Sequence, residues 1–346
     1  MTLKDIAKQA GVSVSTVSRI LNDKDTKSAS AEVRKRVWEI IRDTSYVPNT
    51  NARDLRNTSS VKALNSKTPE KKYFGCVYAR SSDSNDPFFA ELAKAIEYEA
   101  YKKGYILKLS LYANELNEKS FLAAVKNQDI SGFAILGRFE NDYADGIMSK
   151  QRNVVYVGLN PMDTNNDTIF CDGHKAAVLA VESLFDMGHT EIAYIGETIK
   201  ENRFAGYKEV ISALGSDFNR QLVVDSKQTL EGGYQGAEKL CSRNVSFSAI
   251  FCANDSTAMG CIKYLRETKA KIPEQISVIS IDDIEMSRYF MPMLTTIHIP
   301  IDELGKQAAK MLIDRIEKGH YLPVRLELPF SLMKRDSCAP KGRNTK

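Results

Sequence analysis

The sequence of 346 residues predicts a small all-α head followed by a larger α/β body of two lobes. Two observations predict this class. Residues 1–56 have the apolar spacing of helices, whereas from Tyr73 onward short apolar runs alternate with amphipathic segments. Such alternation indicates βαβ units and parallel sheets. Because the body is long for one sheet of this kind, we expect two similar lobes.

The head, residues 1–48, has the pattern of a helix-turn-helix unit. A first helix should begin at Leu3 and end at Gly11, since the tight turn there needs a residue that accepts a positive φ. Ser13 can cap a second helix over residues 14–22, and a third helix follows Ser30. In such a unit the second helix enters the major groove of DNA and its N-terminal side chains reach base edges.

Side chains of the second helix have the chemistry for reading bases. Arg19 can bond a guanine through two hydrogen bonds, and Val14 offers an apolar contact to a thymine methyl group. The alternatives are an ordinary exposed helix charge for Arg19 and a three-helix scaffold for the whole segment. The predicted DNA-contacting residues of this helix are Val14, Ser15, Thr16, Ser18, Arg19 and Asn22.

A short hinge helix is predicted over residues 49–56, and a polar linker over residues 57–72. Asn49 can cap the hinge helix, but two turns are too few for a helix that is stable alone in water. Leu55 has no evident core partner. It is therefore either an unremarkable exposed side chain or a wedge that enters a minor-groove step and kinks the duplex.

Charge supports a polyanionic partner for the head. Residues 1–72 hold 15 Lys and Arg against 8 Asp and Glu, whereas the remaining residues have a net charge of −3. A basic head on a near-neutral body indicates that the head binds a polyanion. The alternative from charge alone is a solvated terminal domain.

Other features exclude several classes of protein. There is no apolar run long enough for a membrane span, no secretory signal and no C-x-x-C pair among the six cysteines, so we expect buried thiols in a reducing cytoplasm. The four histidines form no catalytic or metal-binding motif with neighbouring residues. We therefore expect no enzymatic activity, no metal and no cofactor.

The head sequence TLKDIAKQAGVSVSTVSRILN (2–22) and the hinge sequence YVPNTNARDL (46–55) resemble those of the LacI/GalR family of bacterial transcription regulators. The resemblance continues through NRFAGY (202–207), ANDSTAMG (253–260) and ISVISIDD (276–283). The loop DKDTKSAS (23–30) and the stretch NDPFF (85–89) look most similar to the galactoside-responsive branch. It places Asn49, Ala52 and Leu55 at DNA-contacting positions, with Ala52 and Leu55 in the minor groove.

The resemblance implies a body like that of periplasmic sugar-binding proteins, spanning residues 73–338, with a ligand between the lobes. The N-lobe is expected over about 73–160 and 295–322, and the C-lobe over about 161–294 and 323–338. It further implies a homodimer on a pseudo-palindromic operator. The predicted function is a repressor of sugar-metabolism genes, of galactoside type, released by a small sugar. The alternatives are co-repression by a purine and control by a partner protein.

Effector-contacting positions follow from the same resemblance and from the rule that ligands bind beyond the carboxyl ends of parallel strands. Arg203 donates, Asp282 accepts, and Asn254 does both, which suits a polyol. Asp86 and Phe88, beside Phe89, add an acceptor and an aromatic wall. Asn254 and Asp282 could instead be helix caps, and Phe88 could belong to the core. Family members that respond to sugars commonly carry Asp where this chain has Gly158.

Overall fold

The computed structural model describes residues 3–22, 29–43, 72–79, 86–113, 129–139, 150–160, 165–213 and 218–342, with isolated positions at 119, 123, 125 and 146. The chain divides into two compact units, Met1–Thr68 and Pro69–Lys346. The boundary lies inside the segment predicted to be the linker.

The head unit contains three helices, with the second and third at their predicted positions and the first ending one residue before Gly11. They are α1 (Leu3–Ala10), α2 (Val14–Asn22) and α3 (Ala31–Asp43). Gly11 has a φ of 65°, which explains why the turn between α1 and α2 carries a glycine. A small apolar core joins the three helices, formed by Ile6, Ala7, Ala10, Val17, Ile20 and Val37.

The body contains two six-stranded sheets, one in each lobe. The first sheet is parallel throughout, in the order β11-β5-β4-β3-β1-β2. Its strands are β1 (Lys72–Tyr78), β2 (Tyr105–Tyr112), β3 (Ile130–Leu136), β4 (Val154–Gly158), β5 (Asp167–Phe170) and β11 (Arg325–Glu327).

The second sheet has the order β12-β10-β9-β8-β6-β7, and only β12 is antiparallel to its neighbour. Its strands are β6 (Ile192–Gly196), β7 (Val223–Asp225), β8 (Ala249–Cys252), β9 (Ser277–Asp282), β10 (Thr295–His298) and β12 (Ser331–Met333). The central strands β4, β6, β8 and β9 are buried at every residue. Continuous apolar runs are typical of parallel strands covered by helices on both faces.

Helices cover both sheets, and in the first lobe α4 packs against α9. The helices of the body are α4 (Pro87–Lys102), α5 (Gly173–Asp186), α6 (Asn202–Ala213), α7 (Leu230–Cys241), α8 (Asp255–Glu267) and α9 (Ile301–Ile316). In the second lobe α5 packs against α6 and α7 against α8. None of the helices in the described ranges is long and apolar enough to cross a bilayer.

The lobe limits predicted from the sequence are wrong at three strands. β5 and β11 pair in the first sheet, although both were expected in the C-lobe, and β10 pairs with β9 in the second sheet, although it was expected in the N-lobe. The chain therefore passes between the lobes near residues 171, 299 and 329. Strands of three or four residues carry too short a pattern to indicate which sheet they join.

The cysteine prediction is confirmed for four of the six positions. Cys76, Cys171, Cys252 and Cys261 are buried, whereas Cys241 and Cys338 are partly exposed, and all six are free thiols. Burial raises the pKa of the Cys76 and Cys171 thiols to about 12, so these side chains stay protonated and unreactive at neutral pH.

Candidate effector site and DNA-reading helix

All five predicted effector residues lie around one cavity between the two lobes of the body. The residues lining this cleft are Asp86, Phe88, Phe89, Gly137, Arg138, Leu159, Asn160, Arg203, Gln228, Asn254 and Asp282. The cavity has a volume of about 30 Å³. This is space for about one water molecule, because protein side chains occupy the rest of the cleft.

Arg203 lies at the start of α6, and its guanidinium is buried and held by the protein. Its Nε donates to Glu201 Oε1 at 2.9 Å and its Nη2 to Glu201 Oε2 at 3.1 Å, which is a bidentate pair. Nη1 donates to the Ala253 carbonyl at 3.0 Å, and Nη2 also donates to Gln228 Oε1 at 2.6 Å. Burial alone lowers the pKa of Arg203, but attraction to Glu201 outweighs burial and raises that pKa, so the group remains charged.

Glu201 is the centre of this cluster, and its side chain is completely buried. Besides Arg203, it accepts a hydrogen bond from Gln228 Nε2 at 3.1 Å. It also forms an ion pair with Arg138, which follows β3 in the other lobe, at 3.5 Å. Arg138 pairs with Glu197 as well, at 3.3 Å. These ion pairs cross the cleft and connect its two walls.

Asn254 caps a helix, which is one of the two roles considered for it from the sequence, and its amide also faces the cleft. Its Oδ1 caps α8 by accepting from the backbone N–H of Thr257 at 2.9 Å. Its Nδ2 points across the cleft and donates to Asp86 Oδ2 at 3.3 Å. Asp86 in turn caps α4, accepting from the N–H of Phe88 at 3.0 Å. Two helix caps from opposite lobes therefore meet in the cleft.

Asp282 ends β9 and faces the cleft without capping the short helix that follows. It is 3% exposed, and no donor within the described ranges bonds its carboxyl group. Burial first, and then the nearby carboxylates of Asp255 and Asp86, raise the pKa of Asp282 well above its usual value. The backbone at Asp282 has a φ of 132°, an unfavourable conformation for a residue with a Cβ.

The position of Asp282 is supported from behind by a buried carboxylate. Asp255, the first residue of α8, accepts from Ser280 Oγ at 2.5 Å and from Thr296 Oγ1 at 2.6 Å. It also accepts from the Ser287 hydroxyl and, at 3.0 Å, from the backbone N–H of Ile284. Burial raises the pKa of Asp255 to about 6, against the opposing effect of these four hydrogen bonds. The network joins β9, β10 and α8 beneath the cleft.

The wall from the first lobe adds an apolar surface to the polar side chains of Asp86, Arg138 and Asn160. Phe88 is 2% exposed and belongs to the core, as its alternative reading predicted, but one face of it still lines the cleft. Phe89 is half-buried and meets Phe88 edge-on, with ring centroids 5.1 Å apart. Gly158 ends β4, and the next residue, Leu159, lines the cleft. The position of Gly158, where sugar-responsive members of the family that the sequence resembles commonly carry Asp, is therefore beside the cleft.

Five cleft residues were not predicted from the sequence: Arg138, Asn160, Glu197, Glu201 and Gln228. Arg138 and Asn160 follow the apolar runs that became β3 and β4, so the rule about carboxyl ends of strands could have identified them. Glu201 and Gln228 lie in loops before α6 and α7, and no local pattern marks them. Within the described ranges, no group of His, Cys, Asp and Glu could hold a metal ion.

In the head, the start of α2 presents the side chains expected to meet DNA. Ser13 caps α2, accepting from the N–H of Thr16 at 3.1 Å. Val14 is 41% exposed, Ser15 is exposed and Thr16 is partly exposed. The side chains of Ser18, Arg19 and Asn22 are outside what the structure describes, and Asn49, Ala52 and Leu55 lie outside the described residues altogether.

Comparisons with known proteins identify both units. Residues 2–49 match the family described as "Bacterial regulatory proteins, lacI family", and residues 181–338 match the "Periplasmic binding protein-like domain". The chain is 30% identical over 346 residues to the "HTH-type transcriptional repressor PurR" of Erwinia tasmaniensis, covering 98% of this chain and 97% of that protein.

Solved structures agree with this assignment. A transcriptional regulator, CelR, in complex with cellobiose superposes with a TM-score of 0.70 at 24% identity, covering 97% of this chain and 99% of that one. A LacI-family regulator from Enterococcus faecium with bound ribose has a TM-score of 0.66 at 27% identity, covering 78% and 99%. The chain belongs to the lacI family of bacterial regulatory proteins and is a DNA-binding transcriptional regulator rather than an enzyme.

Proposed function

We propose that this protein is a repressor whose binding to its operator is weakened when a small sugar binds in the cleft between the lobes. The observation that carries the proposal is the meeting of Asp86 from one lobe with Arg203, Asn254 and Asp282 from the other around one cavity. A ligand that contacts both lobes favours one arrangement of them over another, which is the requirement for a switch.

The chemistry of the cleft suits a polyol. Asp282 offers a carboxyl group that no described side chain bonds, Asn254 has a donor directed into the cleft, and Phe88 and Phe89 provide an apolar face. Sugars have hydroxyl groups at their edges and an apolar ring face, so both kinds of wall are used. The solved relatives with ribose and with cellobiose support this ligand class.

The cavity is too small for a sugar with the side chains where they are, since ligand pockets typically hold about 300–1,000 Å³. Binding must therefore move Gln228 or change the separation of the lobes. Contacts across the cleft, such as Asn254 to Asp86, would be exchanged for contacts to the ligand. That exchange is how we expect binding energy to alter the arrangement of the lobes.

For the head we propose that Val14, Ser15, Thr16, Ser18, Arg19 and Asn22 read a half-site, and that Asn49, Ala52 and Leu55 act at the operator centre. The exposed start of α2 supports the first part of this proposal. Leu55→Ala should then weaken binding to the operator far more than binding to random DNA. Equal losses on both duplexes, measured by fluorescence anisotropy, would exclude the wedge.

We also propose a homodimer, since two heads related by a two-fold axis are needed to read a palindrome. An exposed apolar area around α7, α8 and the segment after β9 supports a self-contact. Its members include Leu230 at 58%, Tyr289 at 73% and Met291 at 68% exposure. Sedimentation should show a dimer that Tyr289→Glu with Met291→Glu dissociates. A chain that sediments as a monomer before mutation would refute the homodimer.

One relative favours a second candidate, because the repressor from Erwinia tasmaniensis at 30% identity is named PurR. In that case a purine would tighten operator binding. The two candidates are separated by anisotropy titrations of an operator selected from a random library, with ribose, cellobiose and galactose in one series and hypoxanthine and guanine in the other. Release of the operator by a sugar supports our proposal. Tighter operator binding in the presence of a purine contradicts it and supports co-repression by a purine.

A further inference from the structure

We propose that Glu201 makes the cleft reject anionic effectors, so that the effector is uncharged and phosphorylated or carboxylated sugars are excluded. This inference rests on the proposed function of the cleft as the effector site and specifies its ligand class. Arginines in a ligand cleft ordinarily attract phosphate and carboxylate groups, because the guanidinium matches them in charge and geometry. Here the protein supplies the carboxylate itself.

The geometry leaves little of the guanidinium for a ligand. A guanidinium has five N–H donors. In Arg203 four hydrogen bonds go to Glu201, Gln228 and the Ala253 carbonyl, which leaves one N–H of Nη1 for other partners within the described part of the chain. An anion could form a bidentate contact only by displacing Glu201, whose side chain is completely buried.

Glu201 also forms an ion pair with Arg138, the cationic side chain that the opposite wall contributes. Arg138 lies 3.5 Å from Glu201 and 3.3 Å from Glu197, and its side chain is only 12% exposed. In the described part of the cleft, Arg138 and Arg203 are therefore both paired with carboxylates from the second lobe.

The charged side chains around the cavity also disfavour an anionic ligand. Among the described side chains around the cavity, the carboxyl groups of Asp86, Glu197 and Glu201 outnumber the guanidinium groups of Arg138 and Arg203, and the buried Asp282 adds a fourth carboxyl group. A phosphate monoester brings a further charge of about −1.5 to −2 at neutral pH. Its entry into a site shielded from water, with acidic groups in excess, is unfavourable, whereas a neutral hydroxyl group meets no such repulsion.

The test replaces the carboxylate by an amide of nearly the same shape. Glu201→Gln in the full-length protein removes the competing charge but can still accept from Arg203 through its carbonyl oxygen. We expect inorganic phosphate, measured by calorimetry at low ionic strength, to bind this variant at least about tenfold more tightly than the unmodified protein. Unchanged phosphate affinity in a variant that retains a cooperative thermal transition would overturn the proposal.

Two matched variants separate Glu201 from a general effect of charge. Glu197→Gln removes the same charge from the same rim but leaves Arg203 paired, so its gain in phosphate affinity should be much smaller. Adding Arg203→Met to Glu201→Gln should abolish the gain. If Glu197→Gln raises phosphate affinity as much as Glu201→Gln does, the assignment of selectivity to Glu201 is wrong.

A measurement on the unmodified protein keeps the inference testable even if the variants fold poorly. Ribose and ribose 5-phosphate, and glucose and glucose 6-phosphate, form pairs that differ by one phosphate group. We expect no phosphorylated member to bind more tightly than its parent, and tighter binding by either one overturns the proposal. Release of the operator by a neutral sugar tests the proposed function separately, since it does not depend on how phosphate behaves.

Discussion

The two walls of the cleft recognise a ligand in different ways. The wall from the second lobe presents Arg203, Asn254 and Asp282 on a base of buried ion pairs and hydrogen bonds, and the first two already have protein partners. The wall from the first lobe presents the rings of Phe88 and Phe89 beside Leu159. One wall is polar with its side chains fixed by hydrogen bonds, and the other combines this apolar surface with the polar side chains of Asp86, Arg138 and Asn160.

This difference indicates which wall orients a ligand and which wall covers it. Hydrogen bonds are directional, so a fixed set of donors and acceptors defines one pose, whereas apolar contact depends mainly on area. A ligand contact to Arg203 or Asn254 replaces a contact within the protein, so its net gain is modest. We therefore expect specificity to come from the second lobe and much of the affinity from the first.

The largest expected effect comes from breaking the polar wall at Arg203. Arg203→Ala leaves Glu201 buried with Arg138 as its remaining cationic partner. Removing one partner of a buried pair typically costs about 3–5 kcal/mol. We expect a loss of this size in the free energy of unfolding, measured by denaturant titration with circular dichroism.

The double variant Arg203→Ala with Glu201→Gln is the control for this effect. It removes the uncompensated charge, so it should be more stable than Arg203→Ala alone. If the double variant is the less stable of the two, Glu201 does not depend on Arg203 in the way that the structure indicates, and the polar wall is less tightly coupled than we describe.

A second effect concerns the buried carboxylate beneath the polar wall. The pKa of Asp255 is about 6 in the folded protein, above its usual value of 3.8. A raised pKa means that the folded state holds the proton more tightly, so this contribution to stability is full below the unfolded pKa and is lost as the pH rises through about 6. The shift corresponds to about 3 kcal/mol.

The measurement compares Asp255→Asn with the unmodified protein between pH 4 and pH 7. Other carboxyl groups titrate in both proteins, so the difference between the two curves reports Asp255 together with the neighbouring Asp282, whose pKa the charge of Asp255 raises. We expect the unmodified protein to lose up to about 3 kcal/mol of stability relative to the variant as the pH rises over this range. Parallel curves would mean that Asp255 titrates normally despite its burial.

The third effect sharpens the role of the apolar wall. Phe89 is half-buried, so Phe89→Ala should lower stability by only about 1 kcal/mol, since little core volume is lost. Its effect on a bound sugar should be larger, about a tenfold loss of affinity, because the ring covers one face of the ligand. Calorimetry with the releasing sugar measures the affinity. Full affinity in Phe89→Ala would show that the first lobe contributes little.

The sequence predicted the two walls unequally. The alternation of apolar runs and helices, with the family resemblance, predicted both sheets and the side chains at the ends of β6, β8 and β9. Asn254 and Asp282 were found because the family resemblance places them at effector-contacting positions, which lie just after, or at the end of, a buried strand. Glu201 could not be predicted in this way, since its role depends on Arg138, which is 63 residues away in the other lobe.

The same limit explains the three misplaced strands. β5, β10 and β11 each have three or four residues, and their partners are set by where the chain passes between the lobes. Local sequence does not encode those crossings. The prediction was most successful where a signal is local, as at the Ser13 cap and at Gly11 in the head, and failed where two distant segments determine the outcome.

The smallest expected effect tests a single contact between the walls. Asn160, after β4 in the first lobe, accepts a hydrogen bond from the backbone N–H of Asn202, at the start of α6 in the second lobe, at 3.1 Å. Asn160→Ala removes this acceptor and should lower the free energy of unfolding by about 1 kcal/mol. Because the bond joins the two lobes, its loss should also change ligand affinity, by less than about tenfold.

Asn219→Ala is the matched control for Asn160→Ala, since Asn219 accepts from the N–H of Gln221 at 2.9 Å within one lobe. Both variants lose the same kind of hydrogen bond, so their losses of stability should be similar. Only Asn160→Ala should alter the affinity for the ligand, because only its bond constrains how one wall lies against the other. If the two variants bind the ligand equally well, the bond to Asn160 stabilises the fold without affecting the arrangement of the lobes. The coupling between the walls is then carried by the ion pairs of Arg138 and by the bond from Asn254 to Asp86.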